Sequence, residues 1–266
     1  MRLVDSHCHL QSDRLIGEAD MLIGAARLAG VERILVPGWN VHSSEAAVVI
    51  ADRFAWLDIA VGVHPHDAAQ VDDDGWARIV SLADDPRVVA IGETGLDYDR
   101  RFSPIDAQLA NLRRNLMLAR QSDRPVILHC RSASGSRDAQ DALLAEVRAV
   151  PGVRPLIHSF SGPVDYAKAM LDLGAVISFS GLVFRAGEDA SAEVARIVPA
   201  DRLLVETDSP FLAPPTAPRR RNEPAFVSIT AGWVADQRGI DPAELGDALV
   251  ATYDAVLQRD RADLRP

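Results

Sequence analysis

Eight short apolar runs recur along this chain, separated by segments with helical spacing, and that alternation restricts the fold more than any other feature. The runs are Leu3–Val4, Arg33–Val36, Asp58–Val63, Val88–Ile91, Pro125–Leu128, Pro155–Ile157, Ala175–Phe179 and Leu203–Val205. Most are too short for helices, are rich in β-branched residues and are bounded by Gly, Pro or polar residues, so they read as strands. Between them Ile16–Ala29, Glu45–Phe54, Gln108–Arg120, Asp138–Val147 and Asp165–Leu173 carry helical periodicity. Strand–helix alternation implies right-handed crossovers and a parallel sheet. Eight repeats favour an α/β chain closed into a (β/α)8 TIM barrel over an open doubly wound sheet. The 266 residues, 48% of them hydrophobic, are enough for one large core of that kind, so a single domain over residues 1–266 is expected. No glycine-rich phosphate loop or dinucleotide fingerprint opens a helix, which removes the main support for the open-sheet cofactor folds.

Six residues of metal-ligand type stand at the ends of these runs. His7 and His9 follow β-like Arg2–Asp5, Glu93 follows Val88–Gly92, and His129 follows Pro125–Leu128; His158 follows Arg154–Ile157, and Asp208 closes Leu203–Thr207. In a (β/α)8 barrel the functional side chains gather at the C-terminal ends of the strands. The six are therefore expected to converge on one rim as a metal site. Residues two apart in a strand share a face, so His7 and His9 can clamp one ion together. An isolated HxH pair is weak evidence, but of seven histidines only His42 lies away from a strand end. His42 follows Asn40 at a helix start and reads as a capping neighbour.

Glu93 can bridge two cations with its two oxygens, about 4 Å apart as two-metal hydrolases require. Other metallohydrolase barrels build such a bridge from a carboxylated lysine. Here the one lysine, Lys168, lies in the middle of a helical segment, so Glu93 is the expected bridge. Asp97 reads as a turn residue rather than an acceptor for the site. Cys8 and Cys130 each neighbour a ligand-type histidine, and strand alternation should turn them toward the packing layer.

The formal net charge of −10 argues against a surface coated with basic patches for duplex DNA, although a site with bound cations can still take a nucleic acid. No run approaches the roughly 20 apolar residues of a membrane span. The start, Met1-Arg2-Leu3-Val4-Asp5, reads as a strand and not a signal peptide, so a soluble, cytoplasmic protein is expected.

These residues also resemble a family. Asp5-Ser6-His7-Cys8-His9-Leu10, Gly62-Val63-His64-Pro65-His66, Gly92–Tyr98, His129-Cys130-Arg131, His158–Gly162, Ser178–Gly181, Glu206-Thr207-Asp208 and Arg220–Pro224 are similar, in the same order, to motifs of the TatD-type metal-dependent hydrolases. The resemblance runs from residue 3 to about residue 258. It implies a TIM barrel of the amidohydrolase superfamily with a two-metal phosphodiesterase site, often a DNase that removes nucleotides from 3′ ends. By the same mapping His7, His9, Glu93 and Asp208 hold one metal, and Glu93, His129 and His158 the other. Ser159, Asn115 and Asp254 depart from the family pattern where cysteine, glutamine and asparagine are usual. None of the three is a metal ligand.

The expected chemistry is hydrolysis by a water activated at two divalent ions (Zn, Mn, Co or Mg), with Asp208 also taking the water's proton. For His64 two roles stay open: a hydrogen bond to phosphate or leaving group, or orientation of a neighbouring ligand. His66 reads as a turn residue. Arg131 is expected to grip phosphate oxygens. The run Arg219, Arg220 and Arg221 with Asn222, in the long loop Ser209–Asn222 beside Asp208, reads either as phosphate-binding or as a solvated face. Phe211, Phe160, Tyr98 and Phe102 lie on rim loops where bases could stack, with ordinary packing the safer assignment for each alone. The expected substrate is nucleic acid, with single-stranded DNA ends favoured and no obligate protein partner or membrane. Two other readings remain: hydrolysis of a small cyclic amide or ester with the same metals, and a catalytically degenerate metal-binding interaction protein.

Overall fold

A computed structural model describes residues 1–54, 56–217 and 221–257. Eight parallel strands form one sheet in sequence order: β1 (Leu3–Asp5), β2 (Val31–Pro37), β3 (Leu57–Val61), β4 (Val88–Asp97), β5 (Pro125–Arg131), β6 (Arg154–Ile157), β7 (Val176–Phe179) and β8 (Leu203–Val205). The eight apolar runs thus fall on the eight strands. Strand interiors are buried on both faces, because barrel side chains fill the inside while helices cover the outside.

The outer layer is built from α1 (Ala19–Leu28), α2 (Val41–Arg53), α3 (Asp73–Ala83), α4 (Ile105–Gln121), α5 (Asp138–Arg148), α6 (Val164–Asp172), α7 (Ala190–Ile197) and α8 (Val227–Arg238). A ninth helix, α9 (Pro242–Val256), lies against the start of β1. It comes so close that a Cβ at Gly246 would sit 2.4 Å from the Arg2 carbonyl oxygen. Helix periodicity located α1, α2, α4, α5 and α6 to within a few residues, with Ile16–Glu18 a 3-10 turn ahead of α1. Asn40 caps α2 by accepting from the Ser43 amide while the Ser43 hydroxyl returns to the Asn40 amide. His42 is thus the capping neighbour expected of it.

The sheet closes through segments beyond the two end strands. The Ser6 amide donates to Val205 O (3.1 Å), the Asp208 amide to His7 O (2.8 Å) and the His9 amide to Ser209 O (2.8 Å). Asp5 adds a side-chain stitch: its carboxyl accepts the Thr207 amide at 2.9 Å and lies 2.6 Å from the Thr207 hydroxyl. These bonds place His7, His9 and Asp208 side by side although some two hundred residues separate them.

Two strands correct the picture of ligands at strand ends, and β5 is one, since it continues past His129 to Arg131. β4 does not stop before Glu93 but continues to Asp97. Its register against β5 slips from Ile91↔Val126 to Thr94↔Leu128, so three steps on β4 oppose two on β5. A bulge of this kind bends the strand and re-aims a side chain. The Glu93 amide accordingly leaves the ladder and donates to Gly38 O at 2.8 Å. Glycine is required nearby because a Cβ at Gly62 would lie 2.5 Å from Gly92 Cα.

The polar stripe Gln108, Asn111 and Asn115 on α4 is turned inward. Gln108 binds both the Asp97 amide (2.8 Å) and the Asp97 carbonyl (3.1 Å), and Asn111 Nδ2 donates to Val63 O at 2.6 Å. One helix face therefore positions the loops after β3 and β4. Lys168 lies inside α6, as the periodicity predicted. Among the described residues no helix is long and apolar enough to cross a membrane.

Candidate metal centre

At the C-terminal mouth of the barrel Glu93, 3% exposed, is surrounded by imidazoles on both sides. Its Oε2 lies 3.2 Å from His7 Nε2 and 3.6 Å from His9 Nε2. Its Oε1 lies 2.9 Å from His158 Nε2, 3.3 Å from His129 Nδ1 and 3.3 Å from His64 Nε2. Asp208 Oδ1 joins the first group, 3.5 Å from His9 Nε2 and 3.8 Å from His7 Nε2. All six expected ligands are thus brought together with His64, and three residue triads within this cluster have donor spacing that suits a cation.

The donor set fits metal. His7 Nε2 and His9 Nε2 are 3.2 Å apart, as are His129 Nδ1 and His158 Nε2. Four ligands at about 2.1 Å around a tetrahedral ion are separated by roughly 3.4 Å, which matches these gaps. Outer partners aim the ring nitrogens inward. His9 Nδ1 faces Pro37 O (3.3 Å), and His158 Nδ1 faces the buried Glu206 carboxylate (3.2 Å). A proton shared with an acceptor on the outer nitrogen leaves the inner lone pair for a cation.

His64 differs from these. Its Nδ1 accepts the His66 amide at 3.1 Å, so the neutral ring carries its proton on Nε2 and donates toward Glu93. Burial pushes its pKa down to about 4, against the pull of Glu93, so the ring stays neutral at physiological pH. His64 is therefore a hydrogen-bond donor at the rim of the cluster. Burial also lowers His7, which the neighbouring His158 reinforces. Burial alone would raise Glu93, but His158, His64 and His7 hold it well below the ordinary carboxylate range. His158 moves the other way: burial opposes its charge, yet Glu93 and Glu206 raise it well above the usual value.

Asp208 adopts φ +55°, and Ser159, which follows His158, φ +42°. Left-handed backbone at non-glycine residues is costly and persists where the surroundings over-determine it. Here the Asp208 amide is tied to His7 O, and the Ser159 amide and hydroxyl are tied to Glu206 at 2.7 and 2.8 Å.

Several expectations need revision. Asp97 is more than a turn residue: its Oδ1 accepts the Asp99 and Arg100 amides, while its Oδ2 lies 2.7 Å from His66 Nε2 and 3.5 Å from His129 Nε2. His66 is accordingly one of its partners, beyond its turn role. Arg221 is occupied by Glu18 (2.9 and 3.0 Å) and Glu223 (3.0 Å), and the buried Asn222 amide donates to Thr207 O at 2.6 Å. These two hold the loop after β8 in place, so the structure gives them structural partners where phosphate was expected. Arg131 is exposed and pairs with Asp99 at 2.7 Å. Arg219 and Arg220 lie outside the described residues. Phe160 and Tyr98 are buried, in line with packing; Phe102 and Phe211 are exposed. Cys8 is buried, Cys130 half-buried, and both thiols are free.

Glu206 carries weight that residue type and spacing did not announce. It stands two positions from Asp208, but only the tertiary structure points it at His158. Of the departures from the family pattern, Ser159 reaches Ser180 and Glu206, and Asn115 bonds back to Asn111 O at 2.9 Å.

The family described as TatD related DNase matches residues 4–258. A protein of Citrobacter koseri named 3′-5′ ssDNA/RNA exonuclease TatD is 36% identical over 263 residues, covering 95% of this chain and 96% of its own. A Bacillus subtilis protein named uncharacterized metal-dependent hydrolase YabD is 34% identical, covering 88% of this chain and 90% of its own. Among solved structures, the TatD homologue YJJV of Escherichia coli superposes with a TM-score of 0.87 at 25% identity, over 96% of this chain and 97% of its own.

Proposed function

The chain belongs to the family of TatD-related DNases, and on that premise we propose that it is a divalent-metal-dependent phosphodiesterase that removes nucleotides from the 3′ ends of single-stranded DNA. The observation that carries the reading is Glu93, whose two oxygens face two separate sets of imidazoles. That arrangement supports two ions per chain. His7, His9, Glu93 and Asp208 would hold one, and Glu93, His129 and His158 the other. Nitrogen and carboxylate donors suit Zn, Mn and Co, and Mg less well.

Such ions, when bound, acidify water and offset charge on the phosphate. The protein supplies orientation and proton handling. Asp208 is partly exposed at the mouth, with one carboxylate oxygen turned to His7 and His9, which supports giving it the role of accepting the water's proton. His64 keeps a proton on Nε2 and can donate it in a hydrogen bond to a phosphate or leaving oxygen. The Glu206 carboxylate holds His158 in one ring orientation, so that side of the site need not reorganise as charge develops. A mouth of this kind admits a frayed end more easily than a stacked duplex, and an acidic chain offers no duplex-wide basic surface.

The test is incubation of metal-loaded protein with 5′-labelled DNA and RNA single strands, a blunt duplex, a circular single strand and a panel of small lactones and esters. A ladder shortening stepwise from the 3′ end is expected, with slow attack on the duplex. Comparable nicking of the circle would refute the exonuclease assignment; turnover of lactones without any nucleotide release would refute phosphodiester hydrolysis. Elemental analysis should approach about two metal equivalents per chain.

A further inference from the structure

Two phenylalanines flank the metal centre, and both are exposed although each sits on a firmly held loop. Phe102 is 65% exposed and Phe211 49% exposed. Phe102 meets the His66 ring edge-on at 4.6 Å, and His66 in turn contacts His64 at 4.3 Å. Phe211 meets the His9 ring at 6.0 Å. The two rings therefore adjoin different parts of the cluster: Phe211 the side of Glu93 Oε2, Phe102 the side of Oε1.

Neither loop is free to fold its ring away. Ser103, next to Phe102, receives the Ala69 amide (3.0 Å) and donates to His66 O (2.8 Å), while its carbonyl accepts from Gln108 (2.8 Å). The Phe211 amide donates to Asp208 O at 2.8 Å, and the next residue, Leu212, packs so tightly that a Cβ at Gly181 would lie 1.9 Å from its carbonyl oxygen. Positive charge stands over Phe211 in space and beside Phe102 in sequence, where Arg101 donates to Tyr98 O at 2.8 Å and Arg100 lies 4.0 Å from Asp99. The Arg14 guanidinium lies 5.6 Å from the centre of Phe211, and the exposed Arg100 and Arg101 precede Phe102. Exposed aromatic faces beside arginines, on preorganised loops, are what single-strand binding uses: bases stack and the backbone follows the cations.

We propose that Phe211 and Phe102 are stacking platforms for two nucleobases on either side of the bond to be cut, so that the strand crosses the mouth of the barrel over Glu93. This inference rests on the single-strand exonuclease reading. It assigns the rings to substrate affinity and not to chemistry. Stacking is tolerant of sequence but follows ring area, so purines should be favoured over pyrimidines at both positions.

The experiment measures kcat and KM of metal-loaded wild type, Phe211→Ala, Phe102→Ala, Phe211→Trp and Phe102→Trp on single strands ending in purine, in pyrimidine or in an abasic 3′ residue. Each alanine variant should raise KM about tenfold with kcat within about twofold, and tryptophan should restore KM. An abasic end should raise wild-type KM and largely erase the penalty of one of the two alanine variants, which identifies the ring that holds the terminal base. If wild type degrades the strands and both alanine variants keep its KM, the platforms are wrong while the exonuclease reading stands. If wild type is inactive on every strand, the underlying reading fails and the platforms with it.

Discussion

Glu206 offers the sharpest test of how the protein holds its histidines. Three donors converge on its Oε1: the Ser159 amide at 2.7 Å, the Ser159 hydroxyl at 2.8 Å and His158 Nδ1 at 3.2 Å. The residue is fully buried. In Glu206→Ala the Ser159 amide and His158 Nδ1 lose this acceptor while the Ser159 hydroxyl keeps Ser180, and each unsatisfied buried group costs about 1–3 kcal/mol, so a loss of about 4 kcal/mol is expected. For a chain of this size that corresponds to a fall of roughly 10–15 °C in Tm. Glu206→Gln is different. Its amide oxygen can replace Oε1 and accept all three, while the amide nitrogen takes the place of Oε2, where the Ser6 hydroxyl stands at 3.5 Å. Stability should fall by less than in Glu206→Ala, through the lost charge alone. That charge also raises the basicity of His158, so its loss should weaken metal binding about tenfold.

Thermal denaturation of the metal-free protein and calorimetric metal titration separate these two effects. Metal affinity equal to wild type in both variants would refute the orienting role. A pH signature accompanies them. Burial would raise the Glu206 pKa, but the hydrogen bond and charge of His158 hold it at about 2. A value depressed below the unfolded-state figure of about 4.3 contributes stability above that pH and loses it as pH falls toward 2. The stability advantage of wild type over Glu206→Gln should therefore shrink between about pH 4 and pH 2. An advantage that stays constant over that window would mean Glu206 is not held ionised by folding.

Other outcomes follow from the same geometry. Glu93→Ala should abolish turnover and lower metal content at both positions, whereas Asp208→Asn should cost more in kcat than in bound metal; elemental analysis beside kinetics distinguishes them. His158 is held protonated in the metal-free protein because Glu93 and Glu206 more than offset its burial. Metal must displace that proton, so affinity should rise with pH and calorimetry in buffers of different ionisation enthalpy should show proton release. Gly95→Ala should lower Tm by 10 °C or more by the scaling of about 2–4 °C per kcal/mol, since a Cβ there would lie 1.9 Å from the His129 carbonyl oxygen at φ +142°; a fully stable variant would contradict the packing of β4 on β5. Arg221→Ser should leave KM for oligonucleotides near wild type, because that guanidinium is committed to Glu18 and Glu223.

Strand number, barrel class and ligand types were legible in the sequence because each depends on local pattern. A short β-branched run between turn residues is a strand wherever it packs, and His-x-His presents two imidazoles on one face of any extended segment. The six candidate ligands could be gathered for the same reason: a (β/α)8 barrel delivers the ends of all its strands to one rim. Spacing along the chain cannot report which side chains meet across that rim. Asp97 and Glu206 look like ordinary turn or strand-end acids until β5 and β6 bring His129 and His158 against them. The proton on His64 Nε2 depends on the His66 amide beside its other nitrogen. Arg221 and Asn222 sit in a basic loop beside Asp208, yet folding gives them to Glu18, Glu223 and Thr207. Composition alone gave Phe160 and Phe211 the same standing; packing buried the first and left the second at the mouth. Local pattern determines which residues can do chemistry, but hydrogen bonds and ring contacts form between residues far apart in the chain, so only the closed barrel decides which of them do.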